Sequence, residues 1–141
     1  MKYGRIITKD LVKYYEVADN VFAGISPNKG LCRSSAGFIN RGRGLVYDTF
    51  FDLPHARELK KFCVELSGHE PAYVVNSHYN CDHTWGNQIF SASTLIMHKN
   101  VVMSKAIIRQ LTHDTALLEQ SCCCGSALAS AIITDRSVIP A

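Results

Sequence analysis

The stretch Ala72-Tyr73-Val74-Val75-Asn76-Ser77-His78-Tyr79-Asn80-Cys81-Asp82-His83-Thr84-Trp85-Gly86-Asn87 decides how the rest of the chain is read. It opens with strand formers that feed directly into a loop. The loop holds two histidines and one aspartate between positions 78 and 83. Nitrogen and oxygen donors at this density, carried by a rigid strand, suit a hard or borderline divalent metal. Asp82 and His83 are adjacent, so their side chains are expected to diverge. A single metal would take one side chain from each turn of the loop. Two metals would divide it, one using His78 and the other using Asp82 and His83.

Working outward, the elements on either side alternate between strand and helix patterns. Tyr14–Ala18 and Val21–Ile25 read as a hairpin across Asp19-Asn20, residue types that tolerate a left-handed turn. Cys32–Asn40 and Leu45–Phe50 read as a second hairpin across Arg41-Gly42-Arg43-Gly44. Leu45-Val46-Tyr47 is apolar without alternation and predicts an inner strand covered on both faces. Pro54 fits the first turn of a helix, whose stripe is Ala56, Leu59, Phe62, Cys63 and Leu66 and whose stop is Gly68. Thr94–Met97 predicts a short buried strand. Asn100 is a cap for a helix carrying Val101, Val102, Met103, Ala106, Ile107, Ile108 and Leu111. Residues 1–12 show no period. After Leu111 no pattern survives. The order predicts an α/β domain, with helices layered on a sheet.

The chain has 141 residues, 47% hydrophobic and 19% charged, with a net charge of +3. This is one globular domain, 1–141. The basic residues form no stripe of the kind a nucleic-acid partner needs. Met1 to Asp10 lacks the apolar core of a leader, and no apolar run reaches the ~18 residues of a membrane span. A cytoplasmic location is therefore expected, with the cysteines as thiols. Cys32, Cys63, Cys81, Cys122, Cys123 and Cys124 lack zinc-finger spacing. Three consecutive side chains such as Cys122–Cys124 point in different directions and do not chelate one ion. His55 and His69 read as ordinary exposed positions, and His98 as a residue that follows a strand.

The run His78-Tyr79-Asn80-Cys81-Asp82-His83 with its Trp85-Gly86-Asn87 tail resembles the His-x-His-x-Asp-His signature of the metallo-β-lactamase superfamily. The upstream context, with Val46-Tyr47-Asp48-Thr49 at a strand end and one amphipathic helix before the motif strand, is similar as well. The resemblance spans about residues 14–111 and implies the N-terminal half of an αββα sandwich, with 112–141 unassigned. It implies that His78 is a ligand of a first metal. It implies that Asp82 and His83 bind a second, with Asp82 also orienting the attacking water. Asp48 would lie beneath the site and hold a ligand without touching metal. Asn80 stands where the family has its second histidine, and an amide oxygen is a weaker zinc donor than imidazole. The remaining ligands of the family come from the second half, so they are expected to be absent here.

The function implied is metal-dependent hydrolysis. Zinc (one or two ions) or another divalent metal would activate water against an ester, amide, lactam, thioester or phosphodiester of a small-molecule substrate. The rival is a non-catalytic half-domain that binds metal weakly and associates with a second copy of itself, because a half-fold leaves one sheet face bare. A thiol redox role for Cys81 or the cysteine triplet is the weakest reading. No nucleic acid and no membrane partner are expected.

Overall fold

The computed structural model of the protein describes residues 4–27, 33–77 and 79–98. His78, the side chain of Cys81, Cys32, the expected helix from Asn100 to Leu111, His113 and the cysteine triplet lie outside the described residues.

The strands are β1 (Ile6–Thr8), β2 (Lys13–Ala18), β3 (Val21–Ile25), β4 (Ser35–Ile39), β5 (Leu45–Tyr47), β6 (Tyr73–Asn76) and β7 (Thr94–Met97). They form a single sheet in chain order. β1 to β5 pair antiparallel, whereas β5, β6 and β7 run parallel. A two-residue turn closes β2–β3, and connections of four and five residues close β1–β2 and β4–β5. Parallel neighbours need a crossover, which helix α1 (Leu53–Ser67) supplies between β5 and β6. A one-turn helix α2 (Cys81–Thr84) and a 3₁₀ turn (Trp85–Phe90) supply it between β6 and β7. The motif is therefore wound into helical turns and is not an open loop.

Several local devices behave as their residue types dictate. Asn20 turns the β2–β3 hairpin with φ 57°. Asp52 caps α1: one carboxylate oxygen accepts from the His55 N–H at 2.8 Å and lies 2.7 Å from His55 Nδ1. Gly68 ends the helix in the left-handed region at φ 77°. β1, which had no readable period, is held through its turn. The Glu58 carboxylate of α1 accepts from the main-chain N–H of Leu11 and of Val12, both nearest approaches under 3 Å (2.9 and 2.8 Å).

One face of the sheet packs on α1. Tyr14, Phe22, Phe38, Val46 and Val74 meet Leu59, Phe62 and Cys63 there, all buried. Phe62 stacks on Tyr14 at 3.7 Å between centroids and stands edge-on to Phe22 at 5.4 Å and Phe38 at 6.4 Å. Burial holds the Tyr14 hydroxyl and the Cys63 thiol well above their ordinary pKa values, the nearby Glu58 charge adding to the effect on Tyr14. The other face carries the registered row Ile6, Tyr15, Ala23, Gly37, Tyr47, Val75 and Ile96. Tyr47 is 47% exposed in that row, so β5 is an inner strand covered on one face and open on the other. The same one-sided burial leaves β7 half-buried.

β5 also stops earlier than its residue types suggest. The strand ends at Tyr47, and Asp48 and Phe50 both take left-handed conformations, φ 59° and 65°. His55, read as exposed, is buried against the rings of Phe50 and Phe51. Among the described residues no helix is long and apolar enough to cross a membrane.

Candidate metal centre

The site lies where the parallel strands β5 and β6 end side by side. Asp48 follows β5, Asn76 closes β6, and α2 folds back over both. Three contacts bring α2 there: the His83 carbonyl accepts from the Thr49 N–H at 3.0 Å, the Thr49 hydroxyl at 3.1 Å and Asn76 Nδ2 at 3.1 Å. Behind them, Asn76 and Asn87 form a reciprocal amide pair at 2.8 and 3.2 Å. The Thr49 hydroxyl also reaches Asn87 Oδ1 at 2.9 Å. All three side chains are buried, so these bonds replace water that has been excluded.

Gly86 makes this approach possible. A Cβ at that position would lie 2.1 Å from the Thr49 carbonyl oxygen and 2.5 Å from Ala56 Cβ. Both obstacles are backbone or short side chain, so neither can swing away.

The ring of His83 is set from behind. Its Nδ1 lies 2.7 Å from Asp48 Oδ2, and the same carboxylate accepts from the Ser77 N–H and the Ser77 hydroxyl, each at 2.8 Å. Asp48 is 3% exposed, and these three donors account for a charge that would otherwise be costly to bury. With Nδ1 turned inward, Nε2 faces outward and meets Asp82 Oδ2 at 3.1 Å. The adjacent Asp82 and His83 side chains, expected to diverge, therefore converge. The helical turn of α2 and the hold on His83 from below bring them together. Asn80 starts that turn: its carbonyl accepts from the His83 N–H at 3.0 Å and the Thr84 hydroxyl at 3.1 Å, and its side chain is exposed. His98 is exposed just beyond β7.

The 3.1 Å between Nε2 and Oδ2 suits two occupants. It is hydrogen-bond distance, so a proton can bridge the atoms. Two ligands each roughly 2.1 Å from one zinc ion at the tetrahedral angle lie about 3.4 Å apart, so a small opening of the pair would admit an ion. So opened, the pair fits one edge of a coordination shell. No group of three or more His, Cys, Asp or Glu arranged to hold an ion occurs among the described residues.

Comparison with known proteins identifies the family and the fold. The family model described as the metallo-beta-lactamase superfamily matches residues 30–100. The chain belongs to the metallo-beta-lactamase superfamily. Its fold is similar to that of a metallo-beta-lactamase from Hirschia baltica, with TM-score 0.61 and 16% identity over 72% of this chain and 49% of that one. The FIM-1 enzyme of Pseudomonas aeruginosa, solved in a mono-zinc form, gives TM-score 0.56 and 14% identity over 67% and 45%. An S-methyl-5'-thioadenosine phosphorylase of Geobacter sulfurreducens is 29% identical over 130 residues, 84% of this chain and 44% of that protein. The chain thus spans about half the length of the relatives it matches. The mixed α/β layering expected from the sequence is the observed fold.

Donor type singled out Asp82 and His83, the family resemblance added Asp48, and Thr49, Asn76 and Ser77 were passed over. The signal for Asn76 was present: a lone amide ending an apolar strand needs a buried partner.

Proposed function

We propose that this chain contributes one side of a zinc-type hydrolase centre of the superfamily, with Asp82 and His83 as ligands and His78 completing their side of the shell. The observation that supports it is the Asp48–His83–Asp82 arrangement. A buried carboxylate holds Nδ1 while Nε2 and a second carboxylate converge, the pattern in which metal-binding histidines are usually held. Asp48 keeps the Nδ1 proton on the ring, so the Nε2 lone pair points outward. Asp82 has a second oxygen with which to accept from the attacking water and aim it. A divalent ion bound there would acidify that water and polarise the ester, amide, lactam, thioester or phosphodiester oxygen. The buried Thr49 and Asn76 exclude solvent from beneath the site. Asn80, with its exposed side chain, would be at most an outer donor. The substrate would be a small molecule.

The phosphorylase name of the Geobacter sulfurreducens relative is not carried over, since no residue of this site speaks for phosphorolysis. The second reading, a weakly metal-binding half-domain, draws support from Asn80 standing where the family has a histidine, since an amide oxygen is a weaker zinc donor.

Metal analysis of the purified chain beside an Asp82→Ala, His83→Ala double variant tests the proposal. Stoichiometric zinc in the wild type, lost in the variant, is expected. Absence of metal in both after zinc loading would sink the hydrolase reading in favour of the second one.

A further inference from the structure

We infer that Thr49, supported by Asn76 and Asn87, is a positioning residue for His83, acting on its main chain while Asp48 acts on its ring. Two contacts from one short segment grip the same residue at both ends. Thr49 donates to the His83 carbonyl from its N–H (3.0 Å), its hydroxyl proton is shared between that carbonyl (3.1 Å) and Asn87 Oδ1 (2.9 Å), and Asp48 accepts at ring Nδ1 (2.7 Å). With the carbonyl and Nδ1 both fixed, the two side-chain torsions of His83 have no freedom left. Nε2 then lands beside Asp82. Holding one end alone would leave the ring free to pivot about the other.

The gripping segment is itself held in a costly shape. Asp48 and Phe50 flank Thr49 in left-handed conformations, and such strain persists where surroundings over-determine it. The amide pair supplies that support. Asn87 Oδ1 takes the Thr49 hydroxyl and Asn76 Nδ2, and Asn76 Nδ2 also reaches the His83 carbonyl. A threonine that merely filled space, fully buried as Thr49 is, would be replaced well by valine. One that positions His83 would be replaced better by serine.

The inference rests on the metal-site reading for one arm of its test only. Thr49→Val keeps the shape and removes the hydroxyl, and Thr49→Ser keeps the hydroxyl and removes a methyl. Zinc affinity, measured by chelator competition on the full chain, is expected to fall about tenfold in Thr49→Val, the scale of other supporting contacts behind metal ligands. It is expected to stay at the wild-type value in Thr49→Ser, although that variant melts at lower temperature. Affinity that follows melting temperature through both variants, or is unchanged in Thr49→Val, overturns the inference. The second arm needs no metal. The Nδ1 proton of His83, hydrogen-bonded to Asp48, should give an NMR signal that exchanges equally slowly with water in the wild type and in Thr49→Ser, and faster in Thr49→Val, where the main-chain grip keeps only the Thr49 N–H and Asn76. Equal exchange in all three overturns the inference even in a protein that binds no zinc, whereas zinc-free wild type with the expected proton pattern rejects only the hydrolase reading.

Discussion

The two sides of the sheet are held by different physics. On the antiparallel side, β1 to β4 pair as neighbours in chain order and are pinned to α1 through an aromatic cluster centred on Phe62. On the parallel side, β5 and β6 end in a buried polar network over strained backbone, with Gly86 admitting the covering loop. Apolar packing tolerates a change of shape at graded cost. A satisfied polar network fails more abruptly, because each lost partner orphans another buried group. Stability on one side and geometry on the other should therefore separate under mutation.

The largest effect is expected from Gly86→Ala. Its Cβ has no room against the Thr49 carbonyl, so the loop must leave the strand ends, at a cost of at least about 4 kcal/mol. Urea unfolding should show a protein that is unfolded or close to it; a near-wild-type midpoint would mean the loop does not sit where we describe it. Phe62→Ala comes next, at about 3–5 kcal/mol for a lost buried ring. It should leave the affinity of the folded molecules for zinc unchanged, and a parallel loss of affinity would erase the distinction between the two sides.

Asp48→Asn sharpens the comparison from the other direction. Asparagine tolerates the left-handed conformation but lacks the charge that faces His83 and Ser77. Stability should fall by about 1.5–3 kcal/mol, as for hydrogen bonds to a charged group, and metal affinity by roughly 10–100-fold. Calorimetry with and without zinc reads both. The smallest effect belongs to Lys9→Ala. Lys9 lies 2.6 Å from Glu65 at the surface, and that hydrogen bond is the main reason the Glu65 carboxyl titrates below its ordinary range. A depressed folded pKa gives stability present above the unfolded value and lost as pH falls through the folded one. The variant should therefore melt slightly below wild type near neutrality and converge with it on acidification, as the Glu65 carboxyl protonates in both.

Much of this was legible in the residues. Asp19-Asn20, Arg41–Gly44, Pro54 and Gly68 each carry a local conformational requirement, and each lies at a turn or helix end in the structure. Readings that depended on tertiary context fared differently. Phe50 looks like the end of a strand by propensity, yet its ring is buried by a left-handed backbone that no local preference suggests. His55 lies one turn before Leu59 on the apolar stripe of α1, a position that outweighed its polar type. The convergence of Asp82 on His83 depends on a grip from residues more than thirty positions earlier, Asp48 among them (|i−j| of 35), which no spacing within the motif encodes.

The connectivity of the sheet also sets an order in time. The antiparallel pairs close over shorter connections than the parallel ones, and β5 meets β6 only after the whole of α1 has been brought round. Contacts that close longer loops form later and more slowly. In pulse-labelled hydrogen exchange, amides of β3 and β4 are expected to gain protection before those of β6 and β7. A refolding chain would then pass through a stage with finished hairpins and no site, so ligand capture would follow the last closure of the sheet and could not guide the first.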